Sequence, residues 1–213
     1  MVLDAAAESA ECESAENGGL DLTLIGEVLN GEISAFNVIV HRYRKRIYGV
    51  IYHIIHSHAD AADLTQDTFI QAFRSLHSYR GRSAFYTWLY RIAINCTLKQ
   101  MRRCKSKRSQ ILHFDPMDQN ALDDCSGNLI NSMASSLKTD REIILHELRH
   151  DIAAALAKLS LAHRTAIVLS EMEGLSAEEI GEIVGCSAGT VRSRIHYAKE
   201  ELKVFLGRYL KEI

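Results

Sequence analysis

The side chains with the clearest chemical purpose lie in a short segment near the end of the chain. Guanidinium, hydroxyl and imidazole groups are the ones that hydrogen-bond to base edges and phosphates. Seven residues of these and related types project from the outer face of one predicted helix: Ser187, Thr190, Arg192, Ser193, Arg194, His196 and Lys199. The pattern predicts a helix that reads DNA.

No other arrangement of residues points to catalysis or to a bound metal. The chain has no Gly-rich phosphate loop and no nucleophile elbow, and its five cysteines lack ligand spacing. Two groups of histidines have spacings that a metal can use, but neither comes with a set of acidic ligands: His53, His56 and His58, and His146 with His150. We therefore expect no catalytic residue, no metal, no cofactor and no enzymatic activity.

The segment 175–202 has the residue types that a helix-turn-helix requires. Ser176 and Glu179 have the spacing of a capping box at the start of the first helix. Gly181 is small where two helices cross, and Gly185 stands at the turn, where a positive φ is needed. The shared core is apolar: Ile180, Val184, Val191 and Ile195. An ordinary helical hairpin with a glycine turn is the alternative.

Charge is strongly segregated along a chain whose net charge is only −2. Residues 41–110 carry 14 basic and 3 acidic residues, whereas residues 1–40 carry 8 acidic and no Lys or Arg. Residues 111–151 are again acidic, with 8 acidic against 3 basic residues, and residues 152–213 carry 8 of each. A basic segment between acidic ones is typical of a nucleic-acid binder, although a solvated helical face would look the same.

Composition and periodicity predict an all-α fold. The 213 residues include a single proline. The sequence contains no run of 18 apolar residues, so no membrane span is predicted. Because the first residues do not resemble a secretory signal, we expect a cytoplasmic protein. Apolar residues recur at helical spacing from Leu20, where Leu22, Ile25, Val28 and Leu29 form the first stripe. Further helices are predicted at about 34–54, 60–77 with Asp60 as N-cap, and 84–103.

These elements predict two small helical domains joined by a flexible acidic linker. Residues 1–19 form a disordered acidic tail, 20–105 the first domain, 106–139 the linker and 140–213 the second domain. The linker contains the only proline, Pro116, and many Asp, Ser and Asn residues. Its length and polar composition predict a plain tether.

Two motif sets resemble bacterial sigma factors of the extracytoplasmic-function (ECF) subfamily. The stretch DAADLTQDTF (60–69), the loop SYRGRSAF (78–85) and the helix TWLYRIAIN (87–95) are similar to region 2 of that family, and AFNVIVHRYRKRIY (35–48) to its start. The helix-turn-helix is similar to region 4. Two positions depart from the family pattern, since Ser160 and Ala188 stand where prolines are usual; both residue types also suit helix starts.

The resemblance implies a transcription initiation factor that binds core RNA polymerase and promoter DNA. The polymerase surface would comprise Asp60, Asp63, Gln66 and Asp67. The minus-ten element would be recognised and melted by Tyr79, Arg80, Arg82, Ser83, Phe85, Arg91, Asn95, Lys99, Arg102 and Arg103. The minus-thirty-five element would be read by the region 4 residues named at the outset. An anti-sigma factor is a further expected partner.

Alternatives remain at several positions. The acidic residues of 60–67 can also be a solvated helix face, and Trp88 fits the core better than a base pocket. The resemblance implies that the linker aspartates imitate nucleic-acid phosphates, and a plain tether is equally open. A regulator made of a sensor domain and a helix-turn-helix would explain 175–202. It would not explain the TWLYRIAIN helix or the basic segment 80–108.

Overall fold

The computed structural model describes residues 19–111 and 140–207, and these contain helices and no strand. The helices are α1 (19–29), α2 (Ser34–Ile55), α3 (His58–Ser75), α4 (Phe85–Ile111), α5 (Asp140–Lys158), α6 (Leu161–Glu173), α7 (Ala177–Val184) and α8 (Ala188–Phe205). One 3₁₀ turn, Leu76–Ser78, follows α3. The all-α prediction is confirmed.

Helix α2 is the centre of the first half of the chain. Its apolar residues recur every three or four positions, which places them on one stripe. That stripe is completely or almost completely buried: Ile39, Tyr43, Ile47, Val50, Ile51 and Ile54. Helices α3 and α4 pack against it, and α1 adds Leu24 and Ile25 to the same core.

Three sequence-based details of this half were wrong. The stripe of α1 is rotated from the one predicted, since Leu22 and Leu29 are exposed while Asp21 is buried. Helix α3 starts at His58, and Ser57 rather than Asp60 is its N-cap, because the Ser57 hydroxyl accepts from the Asp60 amide at 3.3 Å. Helix α4 continues to Ile111, so the first residues of the predicted linker are helical.

Helices α6, α7 and α8 form the second half, with α5 beside them. Ser160, which replaces the usual proline, caps α6, because its hydroxyl accepts from the His163 amide at 3.2 Å. Ala188 is the first residue of α8, which Ser187 caps. The second position at which the family usually has a proline is therefore also a regular helix start. The predicted tail 1–19, except for its last residue, and the linker 112–139 lie outside the described residues.

The two halves pack against each other. One continuous core cluster joins Ile94 of α4 to Leu175 and Ile180 of the helix-turn-helix. Arg164 of α6, only 8% exposed, donates from Nη1 to the Ile54 carbonyl at the end of α2, at 2.7 Å. Its Nη2 bonds back to the Leu159 carbonyl at 3.1 Å. The sequence analysis did not predict this contact between domains.

His56 is the C-cap that follows α2, and its φ of 60° lies in the left-handed region. Neither ring nitrogen of His56 has a hydrogen-bond partner among the described residues. Burial, reinforced by Arg164 and His53, lowers the pKa of His56 to about 4. The imidazole is therefore neutral at physiological pH.

No described helix is both long enough and apolar enough to cross a bilayer.

Acid should destabilise the fold partly through His56. Its folded pKa is about 4, whereas an unfolded histidine titrates near 6.5. Between these values the unfolded chain binds the extra proton, so this contribution to stability is complete above pH 6.5 and is lost as the pH falls towards 4. Asparagine tolerates a left-handed backbone, so His56→Asn should keep the fold. We expect the free energy of unfolding that is lost on acidification to be about 1–2 kcal/mol smaller in His56→Asn than in the wild type, after allowance for partial exposure.

Urea unfolding at pH 7 and pH 4.5 measures this difference, and exposed His77→Asn is the control. An acid sensitivity that is the same in wild type and His56→Asn would contradict the assignment.

Candidate nucleic-acid interface

The helix-turn-helix has the geometry that its residue types predict. Ser176 and Glu179 form the capping box: the Glu179 amide donates to the Ser176 hydroxyl at 3.2 Å, and the Ser176 amide donates to the Glu179 carboxylate at 2.9 Å. Gly185 ends α7 with a φ of 74°. A Cβ on Gly181 would lie 2.7 Å from the Cys186 carbonyl oxygen, so only glycine allows this approach of the turn. These predictions are confirmed.

The outer face of α8 carries the predicted DNA-reading side chains. Arg192, His196 and Lys199 recur at helical spacing and are exposed, as are Thr190 and Ser193. Two further residues that were predicted to contact DNA already bond to other groups of the protein. Arg194 is half-buried, with Nη1 3.5 Å from Cys186 Sγ, and the Ser187 hydroxyl accepts from the Thr190 amide.

Two of the exposed cations have acidic partners within the same half of the molecule. Arg192 Nη2 lies 2.5 Å from Glu178 of α7, and Lys199 Nζ lies 2.9 Å from Glu171 of α6. All four side chains are at least half exposed. Because exposed ion pairs contribute at most about 1 kcal/mol, a phosphate or a base edge can displace these carboxylates.

A cluster of aromatic rings fixes the loop between α3 and α4. Tyr79 contacts Phe85 and Trp88 at ring-centroid distances of 5.5 and 5.4 Å, and Phe85 contacts Trp88 at 5.6 Å. The Tyr79 hydroxyl donates to the Ser83 carbonyl across the loop at 2.8 Å. Tyr79, Ser83 and Trp88 are half-buried. The rings of Tyr79 and Trp88 are therefore partly accessible from solvent.

Phe85 does not lie where the sequence analysis placed it. It is 2% exposed and packs edge-on against Tyr43 at 5.9 Å, so its ring belongs to the core and supports Tyr79 and Trp88 from below. A base therefore cannot contact Phe85 directly in this arrangement. Arg80 and Arg82, in contrast, are exposed in the loop.

A buried carboxylate that sequence analysis missed anchors this cluster. Asp21 of α1 is 1% exposed and accepts from the Tyr43 hydroxyl at 2.5 Å and from Arg42 Nη1 at 2.6 Å. Burial, followed by the bond to Asp21, raises the pKa of Tyr43 above its usual range, so the phenol stays protonated and donates. Asp21 shares a helix face with Leu24 and Ile25, and an acidic residue on an apolar stripe is the signal that would have found it.

Helix α4 carries a basic face, and α3 carries an acidic one beside it. Every residue predicted to follow DNA phosphates on α4 is exposed: Arg91, Asn95, Lys99, Arg102 and Arg103. On α3, Asp63, Gln66 and Asp67 are exposed, and Asp60 is half-buried in the first turn. Asp67, Lys99 and Arg103 line one cleft of about 260 Å³ between the two helices. The acidic and basic faces therefore adjoin.

Among the described side chains, the candidate histidine ligands are not grouped around a common metal position. Among the described residues, no three His, Cys, Asp or Glu side chains converge in a group that could hold an ion. His58 Nδ1 instead bonds the Tyr48 hydroxyl at 2.6 Å, and His53 Nδ1 is buried without a partner.

Carboxylates of the second half bind polar groups of the first. Glu173, at the end of α6 and 6% exposed, accepts through Oε2 from Arg46 Nε at 2.8 Å and from the Tyr90 hydroxyl. Glu179 accepts from the Tyr86 hydroxyl. Burial, and then the Glu173 carboxylate, raise the pKa of Tyr90 well above its usual range. Because these pairs are 83 to 127 residues apart, local patterns gave no signal for them.

Comparisons with known proteins match both halves of the chain. Family models described as Sigma-70 region 2 and Sigma-70, region 4 match residues 39–107 and 149–202. The ECF RNA polymerase sigma-E factor of Haemophilus influenzae is 37% identical over 184 residues, which cover 86% of this chain and 93% of the relative. The RNA polymerase sigma-H factor of Pseudomonas aeruginosa is 35% identical over 192 residues, which cover 90% and 96%.

Among solved structures, the sigma factor RpoE in complex with the anti-sigma factor NepR from Bartonella quintana is similar to this chain. The TM-score is 0.59 and the identity 28%, over 81% of this chain and 96% of the other.

Gly181 provides a direct test of the helix-turn-helix geometry. Because a Cβ would lie 2.7 Å from a backbone oxygen, we expect Gly181→Ala to lower the free energy of unfolding by about 1–3 kcal/mol. Thermal denaturation measures the loss. Gly49→Ala in α2 is the matched control, since its Cβ would meet nothing within 4 Å and alanine favours helix. Equal melting temperatures for the two variants would refute the close approach.

Proposed function

Because this chain belongs to the extracytoplasmic-function RNA polymerase sigma factors, we propose that its acidic face binds core polymerase while its basic faces read the promoter. Directing RNA polymerase to promoters is the function of the chain. The observation that carries the proposal is that both modules are present and that each exposes the charged face its task requires. A stand-alone regulator would leave the region 2 match at 39–107 without a purpose.

The polymerase-binding surface in this proposal is the exposed face of α3. Asp63 and Asp67 are four residues apart, so both carboxylates point the same way and suit a pair of arginines on a partner. Gln66 lies between them, and Asp60 contributes from the first turn. Their side chains are exposed or half-buried, which leaves them free for a large partner.

The minus-ten element would be opened at the aromatic loop. A base that leaves the stack needs an apolar or aromatic wall and polar groups that read its edge. Tyr79 and Trp88 offer such walls, and Arg80, Arg82 and Ser83 offer the polar groups. Phe85 acts as the support of this wall. The α4 face described above, from Arg91 to Arg103, would follow the phosphates.

The minus-thirty-five element would be read by α8. Arg192 and His196 lie on the exposed stripe and would contact base edges, with Thr190, Ser193 and Arg194 beside them. Ser187 and the first amides of the helix would bind a phosphate, and Lys199 another. Since residues 152–213 carry equal numbers of acidic and basic residues, this module alone should bind DNA weakly. Core polymerase would hold it at the promoter.

We also propose an anti-sigma factor as a partner, because the similar RpoE structure contains one. The acidic residues 112–139 would act as a tether or imitate nucleic acid along the polymerase. The factor would work in the cytoplasm, where the polymerase transcribes, and would contribute binding energy rather than catalytic groups.

Charge reversal at Asp63 tests the polymerase surface. We expect Asp63→Arg to weaken binding to core polymerase by at least 100-fold, because one charge-assisted contact is lost and two like charges are brought together. Fluorescence anisotropy with purified core enzyme measures the affinity. Glu27→Arg, the same reversal at an exposed position of α1, should bind like wild type. Wild-type affinity of a folded Asp63→Arg protein would remove this helix from the interface.

Truncation of Arg192 tests the reading of the upstream element. Loss of a base contact costs about 1–3 kcal/mol, so we expect Arg192→Ala to reduce transcription roughly 5- to 150-fold from a promoter that depends on its minus-thirty-five element. Lys203→Ala, on the same helix and paired with Glu200, is the control. Run-off transcription with core polymerase gives the readout. An equal reduction on a promoter that lacks the element would argue against a role in reading it.

A further inference from the structure

One of the proposed DNA-reading side chains is bonded to a carboxylate of the neighbouring helix. Arg192 of α8 donates from Nη2 to Oε1 of Glu178 in α7 at 2.5 Å. The two side chains are 64% and 63% exposed, so the pair lies on the outer surface of the helix-turn-helix. The sequence analysis gave Glu178 no role, and the capping box uses its neighbour Glu179 instead.

The fold fixes the position of Glu178 relative to α8. Glu178 is the second residue of α7, where the positive end of the helix dipole stabilises a carboxylate. One turn later, α7 meets the turn that leads into α8 so closely that a Cβ on Gly181 would lie 2.7 Å from the Cys186 carbonyl oxygen. This close approach leaves the two helices little freedom to shift. The carboxylate is therefore held beside Arg192 by the scaffold.

The bond to Glu178 leaves most of the guanidinium free. A guanidinium carries five N–H donors, and this contact uses one of the two hydrogens on Nη2. Whichever hydrogen is used, the other lies beside a donor of Nε or Nη1, so a complete two-donor edge stays available. Two parallel donors match a base edge with two adjacent acceptors, such as N7 and O6 of guanine. A base can therefore be read without displacing Glu178.

Lys199 differs from Arg192 in this respect. Its ammonium pairs with Glu171 of α6 at 2.9 Å. An ammonium is a point charge on a flexible stem and has no planar fork that a carboxylate could orient. A phosphate that binds Lys199 therefore competes with Glu171, whereas a base that binds Arg192 adds to the contact with Glu178.

We propose that Glu178 is a positioning residue for Arg192: its carboxylate holds the guanidinium in an orientation that reads a base edge and keeps it from the phosphates. The inference rests on the proposed function, because it concerns how region 4 distinguishes the minus-thirty-five element from other DNA. A free arginine can turn to any nearby phosphate, and that contact carries no sequence information. An arginine held by Glu178 has lost this alternative and has less rotamer freedom to lose when it reads a base. Glu178 therefore raises selectivity rather than affinity for DNA in general.

The variant Glu178→Gln tests the proposal, because it removes the charge and keeps the shape of the side chain. Fluorescence anisotropy of the factor bound to core polymerase measures two affinities, for promoter DNA and for the same DNA with its minus-thirty-five element scrambled. We expect the ratio of the two affinities to fall roughly 3- to 10-fold, with tighter binding to the scrambled DNA. Glu182→Gln, at an exposed residue of the same helix, is the matched control. It removes an equal charge without removing the bond to Arg192 and should keep the wild-type ratio.

A double-variant cycle separates positioning from a general effect of charge. In an Arg192→Ala background there is no guanidinium to hold. Glu178→Gln should then change the ratio no more than Glu182→Gln does, because the two side chains act through one bond. Thermal denaturation verifies that each variant folds like the wild type.

Three results would overturn the role of Glu178. The ratio would be unchanged or higher in Glu178→Gln, or it would fall equally in Glu182→Gln, or the effect of Glu178→Gln would persist in the Arg192→Ala background. A wild-type protein that gives core polymerase no preference for the promoter would instead refute the proposed function, so the two failures are distinguishable.

Discussion

The architecture depends on one buried carboxylate and the donors that compensate it. Removing Glu173 from water carries a desolvation penalty, which two donors from the other half of the chain, Arg46 and Tyr90, offset at one oxygen. Arg164 reinforces the joint by donating across it to the Ile54 carbonyl. Apolar packing adds area to the same interface, and these directional bonds, together with the one from the Tyr86 hydroxyl to Glu179, orient region 4 on region 2.

The packing of the two regions leaves both proposed DNA-reading surfaces exposed. The basic face of α4 and the outer face of α8 are accessible in the packed body, so simple occlusion does not prevent binding. Residues 152–213 carry equal numbers of acidic and basic residues, which limits unassisted binding of region 4 to phosphates.

Local features of the fold were predictable because their causes are local. The capping box at Ser176, the glycine turn at Gly185 and the stripe of α2 each follow from residue type at helical spacing. The exposed residues of α8 followed from the same periodicity. The burial of Asp21 was not predicted, and Phe85 was placed at the surface, because the burial of both residues depends on helices from elsewhere in the chain. The contact between regions was missed entirely, because no local rule relates Arg46 to Glu173, 127 residues apart.

The separation of the two regions can be measured directly. Spectroscopic labels introduced as non-natural amino acids at exposed Asn37 of α2 and Val204 of α8 report the distance between them by double electron–electron resonance. The account predicts a single short distance in the free chain, because the bonds of Glu173 to Arg46 and Tyr90 fix region 4 on region 2. A broad distribution of distances in the free chain would contradict it.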